Sequence, residues 1–132
     1  EVENIKLYLE IEKVRFGERL DFMMNISDAC DNFKIPNMIL QPIVENAIKH
    51  GVYESIEKVT IMFNCKLEGE FISITVSNNF DPTAVSEIGE GIGLKNIRDR
   101  LKIIYNRENL ISVNTDSNIF KVSLLIPINS GK

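Results

Sequence analysis

Between Val2 and Phe16 the apolar residues Val2, Ile5, Tyr8 and Leu9 recur at helical spacing, and Gly17 follows as a stop, so the stretch VENIKLYLEIEKVRF predicts a helix over 2–16. From Leu20 the period changes. Leu20, Phe22, Met24 and Ile26 occupy alternate positions, the signature of a half-buried strand, and the polar run SDACDNFK ends it. Pro36 and Asn37 open NMILQPIVENAIKHG, a second helix with Asn37 as N-cap, Pro42 in its early turns and Gly51 as its stop. Residues 58–67 alternate Val59, Ile61, Phe63, Cys65 and Leu67; EGE makes a turn; residues 71–77 alternate Ile72, Ile74 and Val76, completing a hairpin. A loop rich in Asn, Asp, Pro, Ser and Gly fills 78–92. Leu94, Ile97, Leu101 and Ile104 give a third helix, and two strands, 110–114 and 119–127, flank the turn TDSN.

Helices and hairpins in this order predict an α+β fold, a two-layer sandwich with helices on one face of a mostly antiparallel sheet. The chain has 132 residues, 44% hydrophobic and 26% charged, the size and balance of one domain. It begins at Glu1 directly in a helical pattern, which we read as an excerpt from a longer protein. Fifteen Lys and Arg are scattered against 19 Asp and Glu, for a net charge of -4, so no basic footprint for nucleic acid is present. No apolar run approaches the ~20 residues of a membrane helix, and the fragment is expected to be soluble. Cys30 and Cys65 stand apart from each other and from His50, without zinc spacing, which fits a reducing compartment.

The long loop runs into GEGIGLKNIRDRL, with Gly89, Gly91 and Gly93 on alternate positions. A dinucleotide fingerprint needs GxGxxG straight after a strand, and a P-loop needs GxxxxGK[ST]; neither spacing is met. Two readings stay open: a flexible glycine-rich helix entry, or a backbone that approaches an anion at a helix N-terminus.

In the second helix, Pro42, Asn46, Lys49 and His50 share one side, opposite Leu40, Val44, Ala47 and Ile48. An amide oxygen suits a metal, and an ammonium and an imidazole suit phosphate oxygens. A solvated polar face is the alternative for the same residues.

Taken together, PNMILQPIVENAIKHG and GEGIGLKNIRDRL closely resemble the N box and the G2 box of LytS-like sensor histidine kinases, and LYLEIEKVRFGERL resembles the stretch leading into their catalytic domain. The resemblance implies the Bergerat ATP-binding fold, shared with gyrase, over 18–132, with 1–17 as a linker helix from an upstream dimerisation and phosphoacceptor region. It implies ATP and Mg2+ as cofactors. Asn46 would hold the metal, Lys49 would meet the phosphates, and His50 would donate a hydrogen bond near them. Gly89, Gly91, Gly93, Leu94 and Lys95 would form the end of the ATP lid. Glu45 would polarise or orient the reacting groups, or else face solvent. Related ATPases carry a water-activating glutamate four residues before the N-box asparagine, where this chain has Pro42, so phosphoryl transfer to an external histidine is implied rather than hydrolysis. The same position counts against an anti-sigma serine kinase.

The G1 box departs from the family pattern Asp-x-Gly-x-Gly. VSNNFDP places Asn78, Phe80 and Pro82 at the three signature positions. Asn78 would accept from the adenine amine in place of the aspartate, with Asp81 as a displaced alternative, and Phe80 would wall the base or pack into the core. Ile119 and Phe120 stand where the family often has Gly-Thr. These losses keep a second reading in play, a degenerate domain that binds nucleotide weakly and serves as a scaffold. By resemblance the partners are the phosphoacceptor helix, a cognate response regulator and a second copy in a full-length homodimer. The domain is expected to be cytoplasmic in a parent anchored in the inner membrane. His50 is not the expected phosphoacceptor, since it stands one turn from the metal ligand.

Overall fold

The structure is a computed structural model that describes residues 2–28, 30, 39–51, 58–79, 92–116 and 119–127. Three helices, α1 (Val2–Phe16), α2 (Leu40–Gly51) and α3 (Ile92–Tyr105), accompany five strands, β1 (Leu20–Ile26), β2 (Val59–Glu68), β3 (Phe71–Asn79), β4 (Ile111–Asp116) and β5 (Ile119–Pro127). The strands form one sheet in the order β1-β2-β3-β5-β4, with β1 parallel to β2 and every other pair antiparallel. This is the mixed, mostly antiparallel α/β sandwich that the periodicity predicts.

Alternation along the strands decides which face is covered. Val59, Ile61, Phe63 and Cys65 of β2 and Ile72, Ile74 and Val76 of β3 are buried, whereas Thr60, Met62 and Asn64 and Ser73, Thr75 and Ser77 between them are only half-buried. Helical residues close over the first set: Ile5 and Leu9 of α1, Leu40, Ile43, Val44, Ala47 and Ile48 of α2, and Leu94, Ile97 and Leu101 of α3. Each fully buried aliphatic side chain contributes about 1.5–3 kcal/mol, so this common core is what holds the two layers together. The other sheet face mixes polar residues with Met23 and Met62, and it carries a ladder in which Asn25 Nδ2 donates to Asn64 Oδ1 at 3.0 Å and Asn64 Nδ2 donates to Thr75 Oγ1 at 3.4 Å.

Several boundaries differ from the periodicity. β3 extends through Asn79, so the loop expected to begin at 78 begins later, because Asn78 and Asn79 continue the ladder opposite Phe120 and Ile119. α3 begins at Ile92 rather than at Leu94, which puts Gly93 inside the first helical turn. Gly51 closes α2 as its last residue instead of following it. The expected N-cap Asn37 lies outside the described residues. Gly17 and Gly69 do act as turn residues, with φ of 62° and 63°, a region costly for side chains with a Cβ.

Helix α1 is joined to the sheet near its C-terminal end. Lys13 Nζ donates to the Leu20 carbonyl at 2.6 Å and lies 3.9 Å from Asp21, while Asp21 also pairs with Lys58 at 3.4 Å, so α1, β1 and the start of β2 meet at one charged corner.

Candidate functional site

α2 packs on β2 and β3 and against α3, so it is the element from which a site between sheet and loop can be assembled. Its buried arc is the predicted one, with Ile43 added. Pro42 falls in the first turn, where its missing N–H has no intrahelical carbonyl to lose, so the proline leaves the helix intact. Asn46 sits at the edge of the buried arc and is half-buried. Lys49 and His50 follow it at i+3 and i+4 on the same side of the helix backbone; their side chains lie outside the described residues. Glu45 is exposed and accepts a hydrogen bond from Gln41 Nε2 at 3.1 Å, one turn earlier.

Asn78 occupies the last inward-facing position of β3. Its cross-strand partners are Ile61 and Phe120, both buried and apolar, and the residue itself is 1% exposed. An amide in such a place has few ways to satisfy itself. Nδ2 donates to the Asn79 carbonyl at 3.0 Å, and Oδ1 is buried with no hydrogen-bond partner.

Among the described residues only three buried side-chain polar atoms lack a partner: Glu12 Oε1, Asn46 Nδ2 and Asn78 Oδ1. Two of the three thus belong to the residues that the sequence singles out for metal and base. Leaving a buried polar atom unpaired costs about 1–3 kcal/mol, a cost that a ligand can remove.

At the start of α3, Leu94 is buried, so its side chain anchors the helix in the core and only its backbone is available to a ligand. With the helix beginning at Ile92, the N–H groups without an intrahelical partner are those of Ile92, Gly93, Leu94 and Lys95. No acidic residue stands in that turn, and Lys95 is exposed beside it. Phe80, Asp81, Pro82, Gly89 and Gly91 lie outside the described residues. Among those described, no group of three His, Cys, Asp or Glu could hold a metal, and neither Cys30 nor Cys65 is in a disulfide.

Asn79 is the residue to which the sequence reading gave no role. Its Oδ1 accepts from the Thr60 N–H at 2.7 Å and its Nδ2 donates to the Lys58 carbonyl at 3.0 Å, fastening the end of β3 to the beginning of β2. Asparagine at a strand end next to a loop reads as a turn former, which hides this use.

This fold, with α2 and α3 on a mixed five-stranded sheet, recurs in known proteins. The chain is 29% identical over 128 residues to the sensor histidine kinase BtsS of Escherichia coli, covering 96% of this chain and 23% of that protein. It is 27% identical over 144 residues to the sensor protein LytS of Staphylococcus epidermidis, covering all of this chain and 24% of LytS. The chain is homologous to the sensor histidine kinases of the LytS class. No family model matches it. It spans about a quarter of the length of these curated relatives. The fold agrees: the nucleotide-free catalytic domain of histidine kinase ThkA superposes with a TM-score of 0.70 over 96% of this chain and 90% of that one, at 12% identity. The fold that carries Asn46 and Asn78 is thus the one seen in histidine kinase catalytic domains.

Proposed function

We propose that this chain binds ATP with Mg2+ and transfers the γ-phosphoryl group to a histidine outside it, as the catalytic domain of a two-component sensor kinase. The observation that carries this reading is the pair of buried, unpaired amide atoms, Asn78 Oδ1, an acceptor at the end of β3, and Asn46 Nδ2, a donor on α2 that suits a phosphate oxygen and leaves the amide oxygen for the metal. A protein keeps such atoms unsatisfied where a ligand completes them.

The donor set fits the cofactors. Asn46 would offer its amide oxygen to Mg2+, which supplies charge neutralisation along the phosphates and keeps most of its coordination for water and phosphate oxygens, so one protein ligand suffices. Lys49 would hold the phosphate oxygens by charge and His50 by a hydrogen bond, from the side of α2 they share with Asn46. Gly89, Gly91 and Gly93 would let the backbone close on the phosphates, with Leu94 contributing its N–H and Lys95 its charge at the start of α3. Asn78 would accept from the adenine amine and Phe80 would border the base. Glu45, exposed and next to Asn46, is available to orient the acceptor or take its proton.

In the transfer the bond from the γ-phosphorus to the β,γ-bridging oxygen breaks, leaving ADP, and a bond to an imidazole nitrogen of the acceptor forms. Catalysis of such a step is mostly positioning and electrostatics. With Pro42 in place of a carboxylate there is no base one turn before Asn46 to activate water, which favours transfer over hydrolysis. The phosphoacceptor helix, a response regulator and a dimer partner are the macromolecules this role requires, in a parent anchored at the inner membrane with this domain in the cytoplasm. No helix among the described residues is long and apolar enough to cross a membrane.

Incubating the parent protein with ATP labelled in the γ-phosphate tests the reading. Acid-labile, base-stable label on a histidine, lost on Asn46→Ala, is expected; labelling that survives Asn46→Ala unchanged would contradict it. The scaffold reading is favoured by no observation beyond the altered G1 box.

A further inference from the structure

Helix α1 is apolar on two sides. Ile5 and Leu9 point inward and are fully buried, with Tyr8 and Phe16 packed partly against the same core. At about 100° per residue, Leu7, Ile11 and Val14 fall nearly opposite Ile5 and Leu9, and they are 57%, 66% and 85% exposed. The helix meets β1 and α2 through its inner side, which leaves the outer row to solvent. A helix that covers one core needs a single apolar side, so a second row of large aliphatic residues marks a surface for a further partner.

Spacing and flanking charge identify that partner. Asn4, Leu7, Ile11 and Val14, all exposed, are separated by three, four and three positions, two heptads of a coiled-coil seam with Asn4 and Ile11 at a and Leu7 and Val14 at d. A β-branched residue at a with Leu at d favours a two-stranded parallel pair, and a single Asn at a fixes its register. Glu10 and Arg15 then occupy g and the following e, the two positions that face each other across a parallel pair. Each copy's Glu10 would meet the other's Arg15, whereas an antiparallel pair would set g against g and bring the Glu10 flanks together. Arg15 also lies 3.7 Å from Glu12 and over the Phe16 ring, contacts within its own helix that leave its side chain 61% exposed. The outer side of α1 is thus complementary to itself.

We infer that α1 carries a self-association surface of this chain, a short parallel seam in which Leu7, Ile11 and Val14 pack on the same residues of a second copy in the register that Asn4 sets. This gives the dimer partner of the proposed function a place on the domain itself, but it rests on α1 alone and stands whether or not ATP binds. Because the seam and the core side of α1 lie nearly opposite, the two sandwiches would sit on the outer sides of the helix pair. Lys13, bonded to the Leu20 carbonyl, ties each seam to its own sheet. Three aliphatic side chains per copy make an interface well below the size of a stable dimer, so the chain should pair weakly and reversibly, with a Kd on the order of 0.1 mM.

Sedimentation equilibrium of the chain without nucleotide, from about 10 µM to about 1 mM, tests this. Expected is a monomer–dimer equilibrium that Ile11→Glu weakens at least ~10-fold by placing a charge in the seam. The melting temperature of Ile11→Glu at low concentration should stay within about 2 °C of the parent, because the side chain is exposed in the monomer. Asn4→Ile should tighten association and admit assemblies larger than a dimer. In a Cys30→Ser background, with Cys65 buried, Leu7→Cys and Val14→Cys should each give a disulfide-linked dimer under oxidised glutathione, since a parallel in-register pair sets each residue beside its own copy. A chain that is monomeric at ~1 mM and in which neither cysteine cross-links would overturn the inference. So would a dimer indifferent to Ile11→Glu, or one in which Leu7→Cys cross-links only to Val14→Cys. With no nucleotide present, each of these outcomes leaves the ATP reading where it stands.

Discussion

The side-chain oxygen of Asn79 accepts the backbone N–H of Thr60 at 2.7 Å, closing the end of β3 onto the start of β2. With the second bond, from Asn79 Nδ2 to the Lys58 carbonyl at 3.0 Å, this one residue replaces two rungs of a ladder that the loop after β3 would otherwise leave open. Removing both bonds in Asn79→Ala should cost about 1–2 kcal/mol in denaturant unfolding, since a net protein hydrogen bond is worth about 1 kcal/mol. Stability unchanged from the parent would show that the two bonds contribute nothing net.

The edge strand β4 depends on a tether from α3. Arg98 Nη1 donates to the Ile111 carbonyl at 3.0 Å. Arg98→Ala should destabilise the chain by about 1 kcal/mol and raise amide exchange along Ile111–Asp116, while ATP affinity stays within twofold. Exchange at those amides unchanged from the parent would show the tether to be dispensable.

Pro42 offers a test of why transfer rather than hydrolysis is proposed. A glutamate at 42 would stand one turn before Asn46 on the same side, in a first helical turn that now holds no acidic residue and accommodates one well. Pro42→Glu should retain ATP binding and raise phosphate release in the absence of an acceptor by several-fold. No increase, with binding intact, would mean that a missing base is not what suppresses hydrolysis.

Glu12 carries the third unpaired buried atom. It is 8% exposed, on the inward side of α1, and its Oε1 has no hydrogen-bond partner among the described residues and lies 3.7 Å from Arg15 Nη1. An acid this poorly compensated contributes little to stability, so Glu12→Met should be neutral or stabilising by up to ~1–2 kcal/mol. Destabilisation by Glu12→Met of more than that amount would show that the carboxylate is held by something other than Arg15.

The elements legible in the sequence are those with a clean period: the strict alternation of Val59, Ile61, Phe63 and Cys65 and the helical stripe of Leu94, Ile97 and Leu101 both lie where they were expected, and they are buried. Element ends were less legible. Asn78 and Asn79 have the composition of a loop, yet pairing with Phe120 and Ile119 keeps them in the sheet, a tertiary effect that local propensity does not encode. Gly93 reads as loop for the same reason and is helical, because Leu94 and Ile97 are buried beneath that turn. The site was legible as residue types on one helix and at one strand end. The bond from Asn78 Nδ2 to the Asn79 carbonyl was not, since it depends on a side chain folding back on its neighbour's carbonyl.

The central claim, that Asn46 and Asn78 belong to one nucleotide site, is tested most directly by titrating the chain with ATP in the presence and absence of Mg2+, in the parent, Asn46→Ala and Asn78→Ala. The account predicts binding that Mg2+ strengthens in the parent, a Mg2+ effect abolished in Asn46→Ala, and affinity weakened about tenfold in Asn78→Ala with its Mg2+ effect intact. ATP binding that is indifferent to Mg2+ and to both substitutions would contradict it.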